Sequence, residues 1–332
     1  MTDSPTEKSA FFKLTADTVY VASIGLATCT LIGFLGRLYW FFDLFSHFRP
    51  YYIPCAVILM VAALFLQLKK TAVLNLAVFL LNTAITAAVL VPHNMSQTPR
   101  QEPPVFTAVS ANILSINRHY RFADTLLQRF DADIFLMLET TEDWVHETAY
   151  LKERFPYTAA EARTDNFGIL FYSKYAFDGG VKNFIPSENS TMTVPYIRAE
   201  FKDTPLNFHD RPLVFYGIHT TPPVAAEYAA SRDGLMAHIA AEIAAMPEKD
   251  VIVMGDLNDT VWSQNFRHFL ATSGLRNIGS GLQNTWPTAF PAPLRLQIDH
   301  AFIKGFTDYT GKMSTDVSMG SDHLPIALQI AP

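Results

Sequence analysis

The sequence predicts an α/β domain with a strand-rich core and outer helices, preceded by three transmembrane helices. From Val105 to the end of the chain, short apolar β-rich runs alternate with amphipathic helical stretches, which is the pattern of an α/β protein. Before them, three long apolar stretches occupy most of the first hundred residues. Each approaches the ~20 residues that a helix needs to cross a ~30 Å hydrocarbon layer.

The three predicted spans run from Thr18 to Gly36, from Pro50 to Leu68 and from Ala72 to Val91. The first could instead be a cleaved signal peptide, but two further apolar stretches follow it and no convincing small-residue cleavage site is present. Aromatic residues crowd the connection from Leu38 to Tyr52, as expected at a membrane interface.

Lysines near the spans predict the orientation of the chain. Lys8 and Lys13 precede the first span, and Lys69 and Lys70 lie between the second and third, so both pairs fall on one face. The positive-inside tendency makes that face cytoplasmic. Three spans then place everything after Val91 outside, which predicts a multi-pass protein of the cell (inner) membrane with an extracytoplasmic C-terminal domain.

The domain boundaries follow from composition. We assign residues 1–17 to a cytoplasmic tail, 18–92 to a three-helix transmembrane anchor, 93–104 to a linker and 105–332 to the C-terminal domain. The linker is polar and holds three prolines, which is typical of a domain boundary.

Eight strands and four helices are predicted in the C-terminal domain. The strands are Val105 to Ile113, Ile134 to Leu138, Phe167 to Ser173, Tyr196 to Phe201, Leu213 to His219, Val251 to Met254, Gln297 to Ile303 and Pro325 to Ile330. The helices are Tyr120 to Phe130, Asp143 to Phe155, Val224 to Ala245 and Gln264 to Ser273.

Charge and cysteine content disfavour some classes of function and of metal site. Of the 25 Lys and Arg and 31 Asp and Glu, 7 and 4 lie up to Arg100, so the remainder holds 18 basic and 27 acidic residues, a balance of −9. A protein that binds nucleic acid tightly usually presents a basic face. The acidic balance of this part of the chain therefore argues against tight DNA binding. The two cysteines, Cys29 and Cys55, both lie in the apolar third, so the C-terminal domain has no cysteine-based metal site or disulfide.

Polar side chains occur at the ends of the predicted strands, where apolar ones would be expected. They are Asn112, Glu139, His219, Asp256, Asn258, Asp299 and His300, with Asp322 and His323 in a loop before the last strand. Each of these residues alone is weak evidence for a functional site, since a lone Glu at a strand end is more often a surface or capping residue. Together they predict a functional site on one rim of a layered sheet protein. His300 is the exception, because it should face the other side of its strand by the two-residue period and is predicted to be structural.

The residue types favour one chemistry. Hard oxygen ligands such as Glu139, Asn112 and Asp322 select Mg²⁺ or a similar cation, whereas zinc would need several closely spaced His or Cys. Hydrolysis of a phosphoester requires a cation for the non-bridging oxygens, an oriented water and a proton for the leaving group. The polar residues at the strand ends can fill all three roles.

In this order, the motifs resemble the endonuclease/exonuclease/phosphatase superfamily. The resemblance runs through Ser-Ala-Asn112, Leu-Glu139, Phe-Gly168-Ile-Leu-Phe-Tyr-Ser173, Ile-His219-Thr, Gly-Asp256-Leu-Asn258, Gln-Ile-Asp299-His300 and Gly-Ser-Asp322-His323-Leu-Pro. It implies a four-layer sandwich in which two packed, mostly antiparallel sheets are flanked by helices. The Thr285-Trp286-Pro287 segment and the apolar stretches resemble the membrane-anchored bacterial branch.

The resemblance also implies the metal ligands. Glu139 would be the principal ligand with Asn112 beside it, and Asp322 would complete or support the site. The cofactor would be Mg²⁺, with Mn²⁺ as a substitute. Some nucleases of the family carry an acidic residue at the position of Leu114, so this site is expected to have fewer ligands.

Five further residues receive catalytic roles from the resemblance. Asp256 would orient or deprotonate the attacking water, and Asn258 would bind the phosphate. His219 would be the acid for the leaving oxygen or a phosphate contact. Asp299 would hold His323, which would stabilise charge developing on phosphorus; a carboxylate on one ring nitrogen also fixes the tautomer and favours the cationic imidazole.

The leading hypothesis is a membrane-anchored, Mg²⁺-dependent phosphodiesterase or phosphatase with an extracytoplasmic catalytic domain. Its expected partners are the lipid bilayer and a phosphoester substrate, which could be a lipid headgroup, a nucleotide or nucleic acid; no protein partner is predicted. A membrane-tethered endonuclease and a non-catalytic phosphate-binding module remain as alternatives. A transporter or sensor is disfavoured because the spans hold few ionisable residues.

Overall fold

The chain divides into an N-terminal helical unit and a C-terminal unit built on two sheets. The computed structural model describes residues 5–96, 103–188, 190–204, 211–279, 281–306, 310–315, 318 and 320–331. The first unit comprises residues 1–92 with 262–264, and the second comprises 93–261 with 265–332.

Four helices form most of the N-terminal unit. They are α1 (Pro5–Ile32), α2 (Trp40–Asp43), α3 (Arg49–Phe65) and α4 (Lys69–Ser96). Helix α1 starts within the segment expected to be a tail, and α4 extends into the segment expected to be a linker, of which residues 97–102 lie outside the described residues. Within the described residues, two helical stretches, Phe11–Leu35 and Lys69–Leu90, are long and apolar enough to cross a membrane.

The expectation of three transmembrane helices is wrong at its middle member. Helix α3 has 17 residues, which span about 26 Å at 1.5 Å per residue, less than the ~30 Å hydrocarbon thickness. Pro54 lies inside this helix and removes one of its backbone hydrogen bonds. The prediction of an extracytoplasmic C-terminal domain depended on an odd number of spans. With only two long apolar helices in the described part of the chain, that prediction is no longer supported.

Two polar pairs join α1 to α4. The Asn75 side-chain amide donates to the Ser23 hydroxyl at 2.8 Å, and the Asn82 amide donates to the Thr30 hydroxyl at 3.1 Å. All four side chains are buried. On each helix the two polar residues are seven positions apart, which is about two helical turns, so the two pairs lie along one line of contact between the helices. Such bonds are a common means of fixing helix register in an apolar environment.

Two six-stranded sheets form the centre of the C-terminal unit. The first sheet contains β1 (Phe106–Asn112), β2 (Ile134–Leu138), β3 (Tyr157–Glu161), β4 (Ile169–Ser173), β11 (Thr310–Thr315) and β12 (Ile326–Ala331) in the order β11-β12-β1-β2-β4-β3. The second contains β5 (Asp178–Phe184), β6 (Val194–Phe201), β7 (Leu213–His219), β8 (Asp250–Asp256), β9 (Arg276–Asn277) and β10 (Asp299–Lys304) in the order β5-β6-β7-β8-β10-β9.

Each sheet has one parallel pair at its middle. Strands β1 and β2 are parallel, as are β7 and β8, and the other eight pairs are antiparallel. Parallel strands need a crossover connection, which α5 (Phe122–Phe130) and α7 (Ala226–Ala244) supply. The prediction of mostly antiparallel sheets is confirmed.

The two sheets pack face to face, with helices outside them. Phe171 of the first sheet lies against Phe215 of the second, with ring centroids 5.3 Å apart, inside one continuous apolar core. Helices α5 and α6 (Glu142–Glu147) cover the outer face of the first sheet, and α8 (Gln264–Ser273) packs on the second through Phe266 and Phe302. These packed layers confirm the predicted sandwich.

The helix predicted from Asp143 to Phe155 is interrupted. Helix α6 ends at Glu147, and a 3₁₀ turn from Ala149 to Glu153 follows. At the break, the Thr148 hydroxyl donates to the carbonyl of Trp144 at 2.6 Å. A threonine that bonds back to its own helix in this way weakens the regular ladder.

Candidate active site

The eight predicted site residues come together at one rim of the sandwich. The parallel pairs place Asn112 and Glu139 at the carboxyl ends of β1 and β2, and His219 and Asp256 at those of β7 and β8. The remaining four, Asn258, Asp299, Asp322 and His323, lie in the adjoining loops or at the start of β10.

Asp299 reaches the rim in a different way from the one the sequence suggested. It begins strand β10 instead of ending a strand. Because β10 runs antiparallel to β8, Asp299 pairs with Asp256 in register. The amino end of β10 therefore meets the carboxyl end of β8 at the same edge.

Asp256 lies at the centre of the site. One carboxylate oxygen accepts from the backbone N–H of Asn258 at 2.8 Å, and the other accepts from the Asn112 amide at 3.2 Å. The second oxygen also lies 3.7 Å from Nε2 of both His219 and His323. Since Asn112 belongs to the first sheet and Asp256 to the second, this contact joins the two sheets at the rim.

Burial raises the pKa of Asp256 above its ordinary value. The nearby Asp299 raises it further, whereas the positive charge of His323 lowers it. A carboxyl group with a pKa closer to neutrality is better matched to accepting a proton from water than an ordinary aspartate. The environment of Asp256 therefore suits a base.

Glu139 occupies a strained and partly buried position beside Asn112. Its φ is +64°, in the left-handed region that residues with a Cβ rarely adopt. The Asn112 amide donates to one of its oxygens at 3.0 Å and the Ser115 backbone N–H to the other at 3.2 Å. Burial raises the pKa of Glu139, and these two hydrogen bonds only partly oppose it. The two hydrogen bonds therefore do not fully offset the cost of burying this carboxylate.

Gly168 is required by the chain beside Glu139. A Cβ at this position would overlap the carbonyl oxygen of Thr140. The Thr140 backbone N–H donates to the carbonyl of Gly168 at 3.1 Å. Only glycine lets these two backbone segments approach so closely.

Asp322 has one occupied and one unoccupied carboxylate oxygen. The indole N–H of Trp286 donates to Oδ2 at 3.0 Å. The other oxygen, Oδ1, is buried and has no hydrogen-bond partner among the described residues. Asp322 also raises the pKa of Glu139, so the two carboxylates interact. Burying a carboxylate oxygen without a partner is costly, and the burial of the Glu139 carboxylate is only partly offset by its hydrogen bonds. A bound cation would relieve both costs.

His323 and Asp299 form the predicted pair. Nδ1 of His323 lies 2.9 Å from Oδ2 of Asp299. Burial alone would lower the pKa of His323, but the carboxylates of Asp299 and Asp256 outweigh it and raise the pKa well above its ordinary value. The imidazole is therefore cationic at neutral pH. Asp256, Asp299 and His323 could also hold a metal ion, since their ligand atoms lie within 4.8 Å of one another, but the Asp299 bond already occupies Nδ1.

His219 has the opposite electrostatic setting. Burial, and then the positive charge of His323, lower its pKa to about 3. Its ring lies 5.3 Å from that of Phe167, and Nδ1 has no partner among the described residues. The free protein thus holds His219 as a neutral imidazole, which suits an N–H contact to phosphate or to a leaving oxygen better than an acid that is already protonated.

Asn258 is fixed by a turn that sequence reasoning did not reconstruct. Its φ is +46°, and its side-chain amide donates to the carbonyl of Thr220 at 2.8 Å. Arg232, which is buried in α7, donates to the carbonyl of Asn258 at 3.3 Å. Thr220 could have been noticed as the polar residue after His219, whereas Arg232 lies 26 residues away and gave no signal.

His300 was predicted to be structural. It is fully buried, and one ring nitrogen lies 2.9 Å from the carbonyl of Asp259. Burial lowers its pKa to about 4, so the ring is neutral. A neutral ring bonded to backbone fits the structural role.

Solved structures of other proteins share this fold over 68% to 69% of the chain. Truncated Caenorhabditis elegans TDP2 is 15% identical with a TM-score of 0.53, and covers 68% of this chain and 98% of its own. Humanized D. rerio TDP2 is 16% identical with a TM-score of 0.51, at 68% and 99% coverage. A Bacteroides thetaiotaomicron endonuclease/exonuclease/phosphatase family protein is 17% identical with a TM-score of 0.50, at 69% and 98%. At these identities the likeness shows the fold alone.

No curated protein matches the sequence significantly. The sequence profile of the Endonuclease/Exonuclease/phosphatase family does match, over residues 109–323. That range starts in β1, ends at His323 and contains all eight predicted site residues. Members of this family are hydrolases that act on phosphoester bonds. The chain belongs to the Endonuclease/Exonuclease/phosphatase family.

Proposed function

We propose that the C-terminal unit is a divalent-cation-dependent phosphoester hydrolase, acting as a phosphodiesterase or phosphatase. The observation that carries this proposal is the setting of Asp256, whose carboxylate lies between a neutral and a cationic histidine and contacts Asn112 beside Glu139. Such a rim can supply a base, a positive charge and an N–H donor to one phosphorus centre.

Glu139, Asn112 and Asp322 would hold the cation. They offer two carboxylates and an amide oxygen, which are donors that Mg²⁺ prefers, and Mn²⁺ accepts the same set. The buried unpaired oxygen of Asp322 and the raised pKa of Glu139 support a bound cation here. When bound, the ion would stabilise charge on the non-bridging phosphate oxygens.

The other side chains divide the remaining tasks. Asp256 would orient water and take its proton, and the Asn258 amide would bind a phosphate oxygen. Cationic His323, held by Asp299, would stabilise negative charge that develops on the phosphoryl oxygens. Neutral His219 would donate its N–H to the leaving oxygen. Each of these roles uses a hydrogen-bonding capacity that the structure gives to that side chain.

We expect the substrate to be a lipid headgroup or a nucleotide before nucleic acid. The balance of −9 after Arg100 is unfavourable for neutralising many DNA phosphates. A membrane-tethered endonuclease is the alternative, and it makes a distinct prediction. DNA cleavage that falls steeply with added salt would favour it, because each phosphate contacted releases counterions.

Replacing Glu139 by Gln should lower kcat/KM by about 10² or more, since removal of a ligand carboxylate weakens cation binding and charge stabilisation. The full chain, purified in detergent, would be assayed with p-nitrophenyl phosphate and bis(p-nitrophenyl) phosphate in Mg²⁺ or Mn²⁺. EDTA should abolish the wild-type activity. Glu142→Gln, an exposed carboxylate on α6, is the control and should be unchanged. Full activity in Glu139→Gln would contradict the proposed cation site.

We also propose that Phe11–Leu35 and Lys69–Leu90 anchor the protein in a bilayer, as in the membrane-anchored bacterial branch of the family. Their length and composition support this. Up to Arg100, two basic residues (Arg37 and Arg49) lie between the two spans and two (Lys8 and Arg100) lie outside them. The other three lie within the spans, Lys13 near the start of the first and Lys69 and Lys70 at the start of the second. That near balance gives no clear orientation under the positive-inside tendency, so the side of the catalytic unit is a matter for measurement.

Alkaline carbonate should leave the full chain in the membrane pellet, because two apolar helices are not released by high pH or salt. Release into the supernatant would contradict the anchor. For the side, Cys29 and Cys55 would be replaced by Ala and Lys152, which is exposed, by Cys. Labelling by a membrane-impermeant maleimide in intact cells would indicate an extracytoplasmic catalytic unit, and labelling only after lysis a cytoplasmic one.

A further inference from the structure

We propose that Trp286 is a positioning residue that aims the carboxylate of Asp322 at a divalent cation. This inference rests on the proposed role of Asp322 as a metal ligand. The indole N–H donates to Oδ2 of Asp322 at 3.0 Å, and the carboxylate's other oxygen, Oδ1, is buried with no hydrogen-bond partner among the described residues. One oxygen is thus held by the protein and the other is left for a ligand.

Backbone hydrogen bonds join the segment around Trp286 to Leu296 and to the loop that carries Asp322. The N–H groups of Thr285 and Trp286 donate to the carbonyl of Leu296 at 2.8 and 3.0 Å. The Thr288 N–H donates to the carbonyl of Asp322 at 2.9 Å, and the Leu324 N–H donates to the carbonyl of Thr285 at 3.0 Å. These bonds fix the position of the indole relative to the loop that carries Asp322.

An indole is suited to this task because it is only a donor. A tryptophan N–H cannot accept a hydrogen bond, so it holds a carboxylate in one orientation without competing for a cation. A lysine or arginine at the same place would also cancel the negative charge that attracts the ion. Neutral Trp286 leaves the charge of Asp322 available and restricts only its rotation.

The ring of Trp286 also lies beside the catalytic histidine. Its centroid is 6.4 Å from that of His323, at an angle of 44°. Asp322 and His323 are adjacent in sequence, so one indole contacts both side chains of this loop. Groups that orient a metal ligand in this way typically change metal affinity by about 10- to 100-fold when they are removed.

Mn²⁺ binding tests the inference without any measurement of turnover. Free Mn²⁺ would be quantified by electron paramagnetic resonance during titration of the full chain in detergent. Trp286→Phe keeps the aromatic ring but removes the N–H, and we expect it to raise the Kd for Mn²⁺ about 10-fold or more. Trp286→His retains a ring N–H and should bind Mn²⁺ more tightly than Trp286→Phe.

Trp144→Phe is the matched control. Trp144 is fully buried, and its indole N–H donates to the carbonyl of Asn117 at 2.9 Å. The substitution makes the same chemical change at a residue with no contact to Asp322. It should leave the Kd for Mn²⁺ unchanged, and thermal unfolding of both variants would show that each is folded.

A double-mutant cycle identifies the residue through which Trp286 acts. Asp322→Ala should weaken Mn²⁺ binding, and adding Trp286→Phe to it should have little further effect, because the two side chains act as one unit. Removing a group that orients a metal ligand is expected to change affinity by about 10- to 100-fold. A Kd for folded Trp286→Phe within about twofold of wild type would therefore overturn the inference. So would wild-type Mn²⁺ binding in Asp322→Ala. Absence of catalysis with intact Mn²⁺ binding would instead count against the proposed function alone.

Discussion

Asp256→Asn should lower kcat by about 10²- to 10⁴-fold, the range expected when a positioned general base is removed. An amide at this position keeps the size of the side chain and can still accept from the Asn258 N–H, as Asp256 does at 2.8 Å. Its NH₂ group would then face the Asn112 amide, now 3.2 Å from Oδ2, where two donors oppose each other. The variant therefore loses both the proposed base and the contact between the sheets at the rim.

The difference in stability between Asp256→Asn and wild type should depend on pH. Burial raises the folded-state pKa of Asp256, so the folded protein prefers the protonated form. The associated stability is fully present below the unfolded pKa of the group and is lost as pH rises through the folded value. Asparagine carries no charge at any pH. The Tm of Asp256→Asn relative to wild type should therefore rise as the pH is raised from 4 to 8.

Asp250→Asn provides the control for this pair of measurements. Asp250 begins β8 and Asp256 ends it, so the two carboxylates lie at opposite ends of one strand. Asp250 is buried and lies 3.4 Å from Nε of Arg211. We expect Asp250→Asn to lower Tm while the folded fraction keeps its kcat. Wild-type kcat in Asp256→Asn would exclude Asp256 as the base.

The buried strands were predictable because apolar residues fill them. Strands β2 and β7 have the predicted bounds, and every residue in them is buried. Strands β3 and β5 were missed because they are sheet edges with many exposed residues. Gly179 and Gly180 further weaken the alternation in β5, where both have positive φ. Sequence periodicity reports burial, and edge strands offer little of it.

The site residues were recognisable by type and position, but not the residues that hold them. Glu139 and His219 stand out because they end apolar runs. Trp286 was noticed only as part of a motif, and its bond to Asp322 crosses 36 residues. Such contacts arise from the packing of loops, which leaves no periodic pattern in the sequence. The middle apolar stretch failed for a related reason, since composition did not show where α3 ends.

Asp299→Asn should lower kcat/KM at neutral pH by about 10²- to 10³-fold, approaching the loss in His323→Ala, because a donor to developing phosphoryl charge is worth about this much. His323 is cationic only because the carboxylates of Asp299 and Asp256 outweigh its burial. Asparagine keeps a hydrogen-bond acceptor near Nδ1, which is now 2.9 Å from Asp299, but removes the charge. Burial then lowers the pKa of His323, and the imidazole becomes neutral near neutral pH.

The pH profile separates this electrostatic role from a structural one. Loss of a neighbouring negative charge lowers the pKa of His323, so its cationic form survives in the variant only at acidic pH. The ratio of kcat/KM in Asp299→Asn to that in wild type should therefore rise as the pH is lowered from 8 to 5. His323→Ala has no group left to protonate, so its ratio should show no such recovery. A ratio for Asp299→Asn that is constant over this range would mean that Asp299 orients the ring of His323 without setting its charge.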